Sequence, residues 1–319
     1  VSSPTTHALP TLTRAVKHPF SRLVLSLLLC NYTIDALWRL ERLVLPRLRE
    51  ETALAFQVSV LRAVGTLLAL LVVGRWLEGR GPAQLGLDTR GALQQWGRGM
   101  LLGTGLITAV VGVLAVPGWY QVVDVVPRGA LETATGAFTW AAIFTFAALW
   151  EEVIYRGLLF RLLEEWIGSG VALLLSSLLF GLMHFGNPNA TRLATLAIAL
   201  EGGLLLAGCY MLTRSLWFVT GVHFAWNWVQ GAVLGVAVSG NPVPGLLQAR
   251  LVGPETWTGG SFGVEGGGVA VLLVSAAGVG LVVRAARRGQ WRAFLARRRE
   301  LRALAAAEAR PSIQEAPAT

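Results

Sequence analysis

The sequence predicts an all-α, polytopic transmembrane helical bundle of about eight spans with a basic C-terminal tail. Of its 319 residues, 54% are hydrophobic and only 14% charged, whereas soluble domains carry about 25% charged residues. Mean hydropathy is +0.58. The apolar residues also fall in long continuous runs rather than in alternation, which selects spanning helices over a β-barrel.

Residues 1–21 are polar and basic, with Arg14, Lys17 and Arg22 beside the first apolar run. That run lacks a small-residue cleavage site, so no cleavable signal peptide is expected. Span one, about Leu23 to Trp38, is short, carries Asn31 and Asp35, and reads as either spanning or interfacial. A charged connection from Arg39 to Glu51 leads to span two, Ala53 to Val73. The 75–98 loop holds four arginines, and span three, Met100 to Val116, ends at Pro117-Gly118. Span four grows from the apolar run Phe138 to Leu149 into Glu151-Glu152-Val153-Ile154-Tyr155-Arg156 and on toward Arg161. Spans five, six and seven are Val171 to Phe185, Leu193 to Leu212 and Leu216 to Val238. A loop with Asn241 and three prolines precedes span eight, Gly267 to Val283.

Charge orients this bundle. Nine arginines lie between Arg284 and Arg310, and clustered arginine beside a last span marks the cytoplasmic side. An even number of spans then puts the N-terminus and the 75–98 loop inside, and the 118–134 and 239–265 loops outside. Arg39 to Arg49 breaks the rule. From Arg284 to Arg302 the tail, with Trp291, Phe294 and Leu295, is expected to form a basic amphipathic helix on anionic lipid rather than a nucleic-acid site. Cys30 and Cys209 sit in apolar runs and read as packing residues.

Three short motifs carry the chemistry. Ionisable groups at membrane depth are costly and mark functional sites. Glu152 and Arg156 are four apart, share a helix face and can pair. Glu151 is rotated by about 100° from Glu152, so that pair cannot satisfy it; it is the acid available for chemistry. Phe180-Gly181-Leu182-Met183-His184 ends span five, and His223-Phe224-Ala225-Trp226-Asn227 lies in span seven. At about 1.5 Å per residue the acid and the two imidazoles can meet, and the span limits predict a meeting in the inner half of the membrane. A carboxylate with two imidazoles suits hydrolysis: buried carboxyl groups move toward the range a general base needs. The imidazoles can polarise water, ligate a metal or stabilise an oxyanion, and Asn227 can donate to one. Glu201, ahead of Gly202-Gly203, is a further acid, expected to pair with Arg192 or Arg214, with lining a substrate path as the alternative.

In this order on successive apolar segments, Glu-Glu-x-x-x-Arg, Phe-x-x-x-His and His-x-x-x-Asn resemble the CPBP family of intramembrane proteases. That family includes the type II CAAX prenyl endopeptidases and the bacterial Abi proteins of bacteriocin processing or immunity. The resemblance spans about residues 135–235. It divides the chain into N-terminal spans (1–134), a catalytic core (135–238) and a loop, last span and tail (239–319). It implies an endopeptidase acting on a membrane-associated, CAAX-type or other peptide. Glu151, Glu152, Arg156, His184, His223 and Asn227 are the implied site residues. Members are described as metalloproteases and as metal-independent glutamate proteases. Zinc would need His184, His223 and a motif glutamate, yet a basic Glu151 leaves it short of a ligand unless Glu152 leaves Arg156; the metal-free alternative is favoured. An Arg/Leu/Ala/Gly-rich chain without eukaryotic targeting features fits a bacterial inner membrane. The rival readings are a non-catalytic scaffold or immunity protein, and a transporter, which the missing inverted repeat disfavours.

Overall fold

The computed structural model describes residues 15–44, 50–125 and 130–293. Its helices run back and forth, and chain direction assigns every helix end to one of two faces. α1 (Pro19–Val44), α2 (Glu51–Val73), α3 (Ala92–Ala115) and α4 (Ala130–Glu152) come first. α4 continues through a wide π segment, Val153–Phe160, into α5 (Arg161–Ile167). α6 (Ser169–Met183) follows, then α7 (Arg192–Ile198) and α8 (Leu204–Thr213), joined by the π turn Ala199–Gly203. α9 (Leu216–Trp228) ends in the π turn Val229–Val233, α10 (Glu255–Thr258) is a single turn, and α11 (Gly268–Arg287) is last.

Seven of these helical stretches are long and apolar enough to cross a bilayer, the first being Pro19–Leu43. Span one therefore has spanning length, beyond the 23–38 limits expected. The predicted seventh span is the exception. Its helix stops at Val233 instead of Val238, because Gly235 turns the chain at φ +68, and a Cβ there would strike the backbone of Leu247. Most residues of α9 are buried against neighbouring helices.

Small residues decide how α9 is held. A Cβ on Gly103 of α3 would lie 3.1 Å from the carbonyl carbon of Val222 and 3.2 Å from the Ala225 Cβ. Gly221 reciprocates: a Cβ there would lie 3.0 Å from the Trp96 carbonyl carbon. Close backbone approach of this kind is how helices gain packing energy where lipid removes the hydrophobic drive. Gly103→Val should therefore destabilise the protein by about 2 kcal/mol, the usual cost of overpacking. Thermal unfolding in detergent measures this, and an unchanged midpoint would show that the α3–α9 seam is loose.

Two further devices fix the ends. The expected outer loops contain a strand pair that the sequence reading did not include. β1 (Tyr120–Val125) runs antiparallel to β2 (Leu247–Leu251), Tyr120 facing Leu251, with a bulge between Val122 and Asp124. At the opposite face Glu78 accepts from Arg161 Nη1 at 2.6 Å and from Arg80 Nη1 at 2.8 Å, while Arg22 meets Glu165 at 2.8 Å. Arg214 pairs with Glu164 at 2.5 Å, not with Glu201. These nearly buried ions tie α1, the end of α2, α5 and the α8–α9 turn together. Cys30 and Cys209 are buried free thiols. The predicted tail helix is not continuous over the described residues: α11 stops at Arg287, and the backbone of Arg292 then bonds to Ser169. Phe294, Leu295 and the rest of the tail lie outside the described residues.

Candidate active site

The site is built where α4, α6 and α9 converge. Glu152 and Arg156 form the pair their spacing predicts, Arg156 Nη1 donating to Glu152 Oε1 at 3.1 Å. Both are essentially inaccessible, at 0% and 1% exposure. The π segment after Glu152 and the π turn at Ala199–Gly203 shift the backbone register, and the second turn leaves the Gly202 and Gly203 carbonyls to accept from Arg156 Nη2 at 3.1 and 3.3 Å. The guanidinium lies 4.5 Å from the centre of the Phe180 ring, a cation–π contact strengthened by the loss of water. Phe180 also packs edge-on to Tyr155 at 5.1 Å and against the His184 and His223 rings at 5.0 and 6.0 Å. One phenyl ring thereby spaces the arginine and both imidazoles.

His223 stands between the two glutamates. Its Nδ1 lies 2.9 Å from Glu152 Oε1. An ionised carboxylate only accepts, so Nδ1 carries the proton and Nε2 is turned toward Glu151, 3.9 Å from Oε2. His184 Nδ1 donates to the Phe180 carbonyl at 2.8 Å, which again leaves Nε2 as the free ring nitrogen. Glu151 is the odd group. Its Oε2 is buried and makes no hydrogen bond among the described residues. Glu151, His184, His223 and Asn227 line one chamber of about 1040 Å³. Glu152 and Arg156 are packed behind that wall.

The chamber's lining shows toward which face it extends. His184 follows the last turn of α6, and the chamber is also lined by Glu51 and Thr52, Asn187, and Asn241 with Pro242. The chamber therefore opens toward the face of the 184–191 and 234–267 loops, not toward the face on which α11 ends. α4 continues through its π segment and α5 to Ile167, well past Arg161.

Sequence reasoning missed residues in the chamber and in a smaller cavity beside it. Arg62 of α2 lies 5.1 Å from the Trp150 ring centre and lines the wall opposite α9; its signal was a lone arginine within an apolar run. Glu265 folds in from the loop before α11, accepting from Trp226 Nε1 at 3.2 Å and from the Ser239 N–H. Burial pushes its carboxyl above the usual carboxylate range, and those hydrogen bonds work against the rise. Glu201 makes no ion pair with Arg192 among the described residues either. It lines a smaller cavity with Glu265, His184 and Asn227, and its Oε2 is buried without a partner.

A multi-pass helical membrane protein with acids, an arginine and two imidazoles gathered around an internal chamber belongs to the class of membrane proteins with an intramembrane polar site. One stretch of the chain can be placed more narrowly. Residues 133–229, from α4 to the end of α9, match the family model described as "Rce1-like: Type II CAAX prenyl endopeptidase Rce1-like", and all three motifs fall inside that Rce1-like domain. The match covers less than half of the chain. The match supports a CAAX-type intramembrane protease in the general sense, a class that acts on membrane-associated substrates, and the seven apolar helices among the described residues support a multi-pass integral membrane protein. No curated protein and no solved structure matches the chain.

Proposed function

We propose that the protein hydrolyses a peptide bond of a membrane-associated substrate with a water activated by Glu151. The carrying observation is the contrast between two adjacent acids. Each acid has a buried Oε2 with no hydrogen bond among the described residues, but Glu152 is held through Oε1 by Arg156 and His223, whereas the nearest charged approach to Glu151 is His223 Nε2, 3.9 Å from Oε2. A water held between Glu151 and that nitrogen would lose a proton to the carboxylate as it attacks the scissile carbonyl. His184 Nε2 and the Asn227 amide lie along the same wall to meet the oxyanion. Glu152 and Arg156 act through His223, fixing its tautomer and ring plane, and are positioning residues.

The donor set speaks against zinc. Among the described residues no three His, Cys, Asp or Glu side chains gather as metal ligands would, and Glu152 is already committed to Arg156 and His223. No step is therefore routed through a metal. In this reading the protein sits in the cytoplasmic membrane of a bacterium, with its basic tail against anionic lipid. A prenylated CAAX-type C-terminus is one substrate candidate.

The test is cleavage in detergent of a farnesylated CAAX peptide beside its unprenylated counterpart, each with and without a chelator. The expected result is cleavage at a rate that the chelator leaves unchanged. Loss with chelator and recovery with zinc would replace the glutamate–water mechanism by a metal-dependent one.

A further inference from the structure

Several residues that line the chamber sit at helix ends and in loops of one face, and the two faces differ in charge. On the face where α11 ends lie Lys17, the four arginines of the 75–98 stretch, Arg214, and then Arg284, Arg287, Arg288 and Arg292. Arg297, Arg298 and Arg299 follow directly in sequence. That α1 starts on this face is fixed by the Arg22–Glu165 bond at 2.8 Å, and that α11 ends there by the Gln290 bond to the Leu212 carbonyl at 3.3 Å. On the other face lie Arg39, Arg42, Arg192 and Arg250. The rule that orients helical membrane proteins counts lysine and arginine near span ends and is indifferent to acids. The neutralisation of Arg22, Arg80 and Arg161 by Glu78 and Glu165 therefore does not weaken the bias. The face of α11's end is cytoplasmic.

The mouth is on the opposite face. Glu51 and Thr52 at the start of α2, Asn187 after α6, and Asn241 and Pro242 after α9 ring it, and Glu151 and Tyr155 lie below them. The β1–β2 pair belongs to the same face, beside the loop that carries Asn241.

We propose that the site is reached from the non-cytoplasmic face, and that its substrate is a membrane-anchored segment of a polypeptide already translocated across the membrane. The proposal rests on the reading of the chamber as the substrate path and adds the side from which the path is entered. A cytosolic prenylated C-terminus would stand on the wrong side of the bilayer. A translocated protein held by a terminal hydrophobic segment presents an extended stretch at the outer interface, where the chamber begins.

The experiment maps sidedness without requiring activity, so it can fail while the protease reading stands, and the reverse. Single cysteines are introduced at four exposed positions: Asn241→Cys and Gln248→Cys on the mouth face, Ala83→Cys and Thr89→Cys on the other. Cys30 and Cys209 are buried, so the unsubstituted protein supplies the background. A membrane-impermeant maleimide is applied to intact bacterial cells lacking an outer barrier, and again after permeabilisation. The expected result is labelling of the first pair in intact cells and of the second pair only after permeabilisation. The reverse order, or equal labelling of all four in intact cells, overturns the proposal.

Discussion

Glu151→Gln should leave the protein folded and lower peptide cleavage about 10³-fold, the scale of a lost general base. The change keeps shape and volume and removes only the ability to take a proton. It also breaks no ion pair within hydrogen-bond reach, since the nearest one is the 3.9 Å approach to His223 Nε2. Equal unfolding midpoints for wild type and variant, together with collapsed turnover, are the paired readout. Wild-type turnover in Glu151→Gln would remove Glu151 from the mechanism and leave His223, oriented by Glu152, as the base to test next. Glu152→Gln behaves differently on this geometry: it weakens the bonds to Arg156 and His223 together, so midpoint and turnover should fall as one.

Arg156→Met should cost about 3–5 kcal/mol, the range for breaking a buried ion pair by deleting one partner. Three things are lost at once: the 3.1 Å bond to Glu152, the donors to the Gly202 and Gly203 carbonyls, and the stacking on Phe180. The residual Glu152 carboxylate, at 0% exposure, would be left with His223 alone. Pairing the change with Glu152→Gln should recover part of the loss, because no uncompensated charge then remains. Thermal unfolding in detergent across the two single variants and the double variant measures the coupling. Strict additivity would mean that the pair contributes nothing beyond its separate members. Arg156→Lys is no conservative rescue: one ammonium cannot reproduce the planar fork that reaches both the carboxylate and the carbonyls.

What was legible in the chain follows from what local periodicity encodes. The Glu152–Arg156 pair was readable because four residues make about one helical turn, and the unpaired state of Glu151 followed from the same geometry. The helical class was readable because apolar runs of spanning length have few other uses. The three π segments described above were not, since a shift from i+4 to i+5 bonding leaves no mark on side-chain pattern, yet one of them carries carbonyls that accept from Arg156. Glu265 was hidden for another reason. It sits in a glycine-rich loop, and only the tertiary fold brings it beside Trp226 and Ser239. β1 had a faint signal in Tyr120-Gln121-Val122-Val123-Asp124-Val125, a β-branched stretch behind Pro117-Gly118, but its partner lies so far along the chain that no window could join the two.

The seam between α3 and α9 bears on how the molecule is made. Synthesis delivers α4, with both glutamates, long before the helix that seats His223, which joins Glu152 across 71 residues of chain. The β1–β2 clasp closes across a still longer interval, with Gln121 meeting Arg250 over 129 residues. Contacts of such long reach form late, because loop closure must be met before they can repay it. Glu152 has Arg156 within its own helix, whereas His223 reaches it only when α9 seats against the glycines of α3. The proposed site is therefore complete only once that later helix is in place.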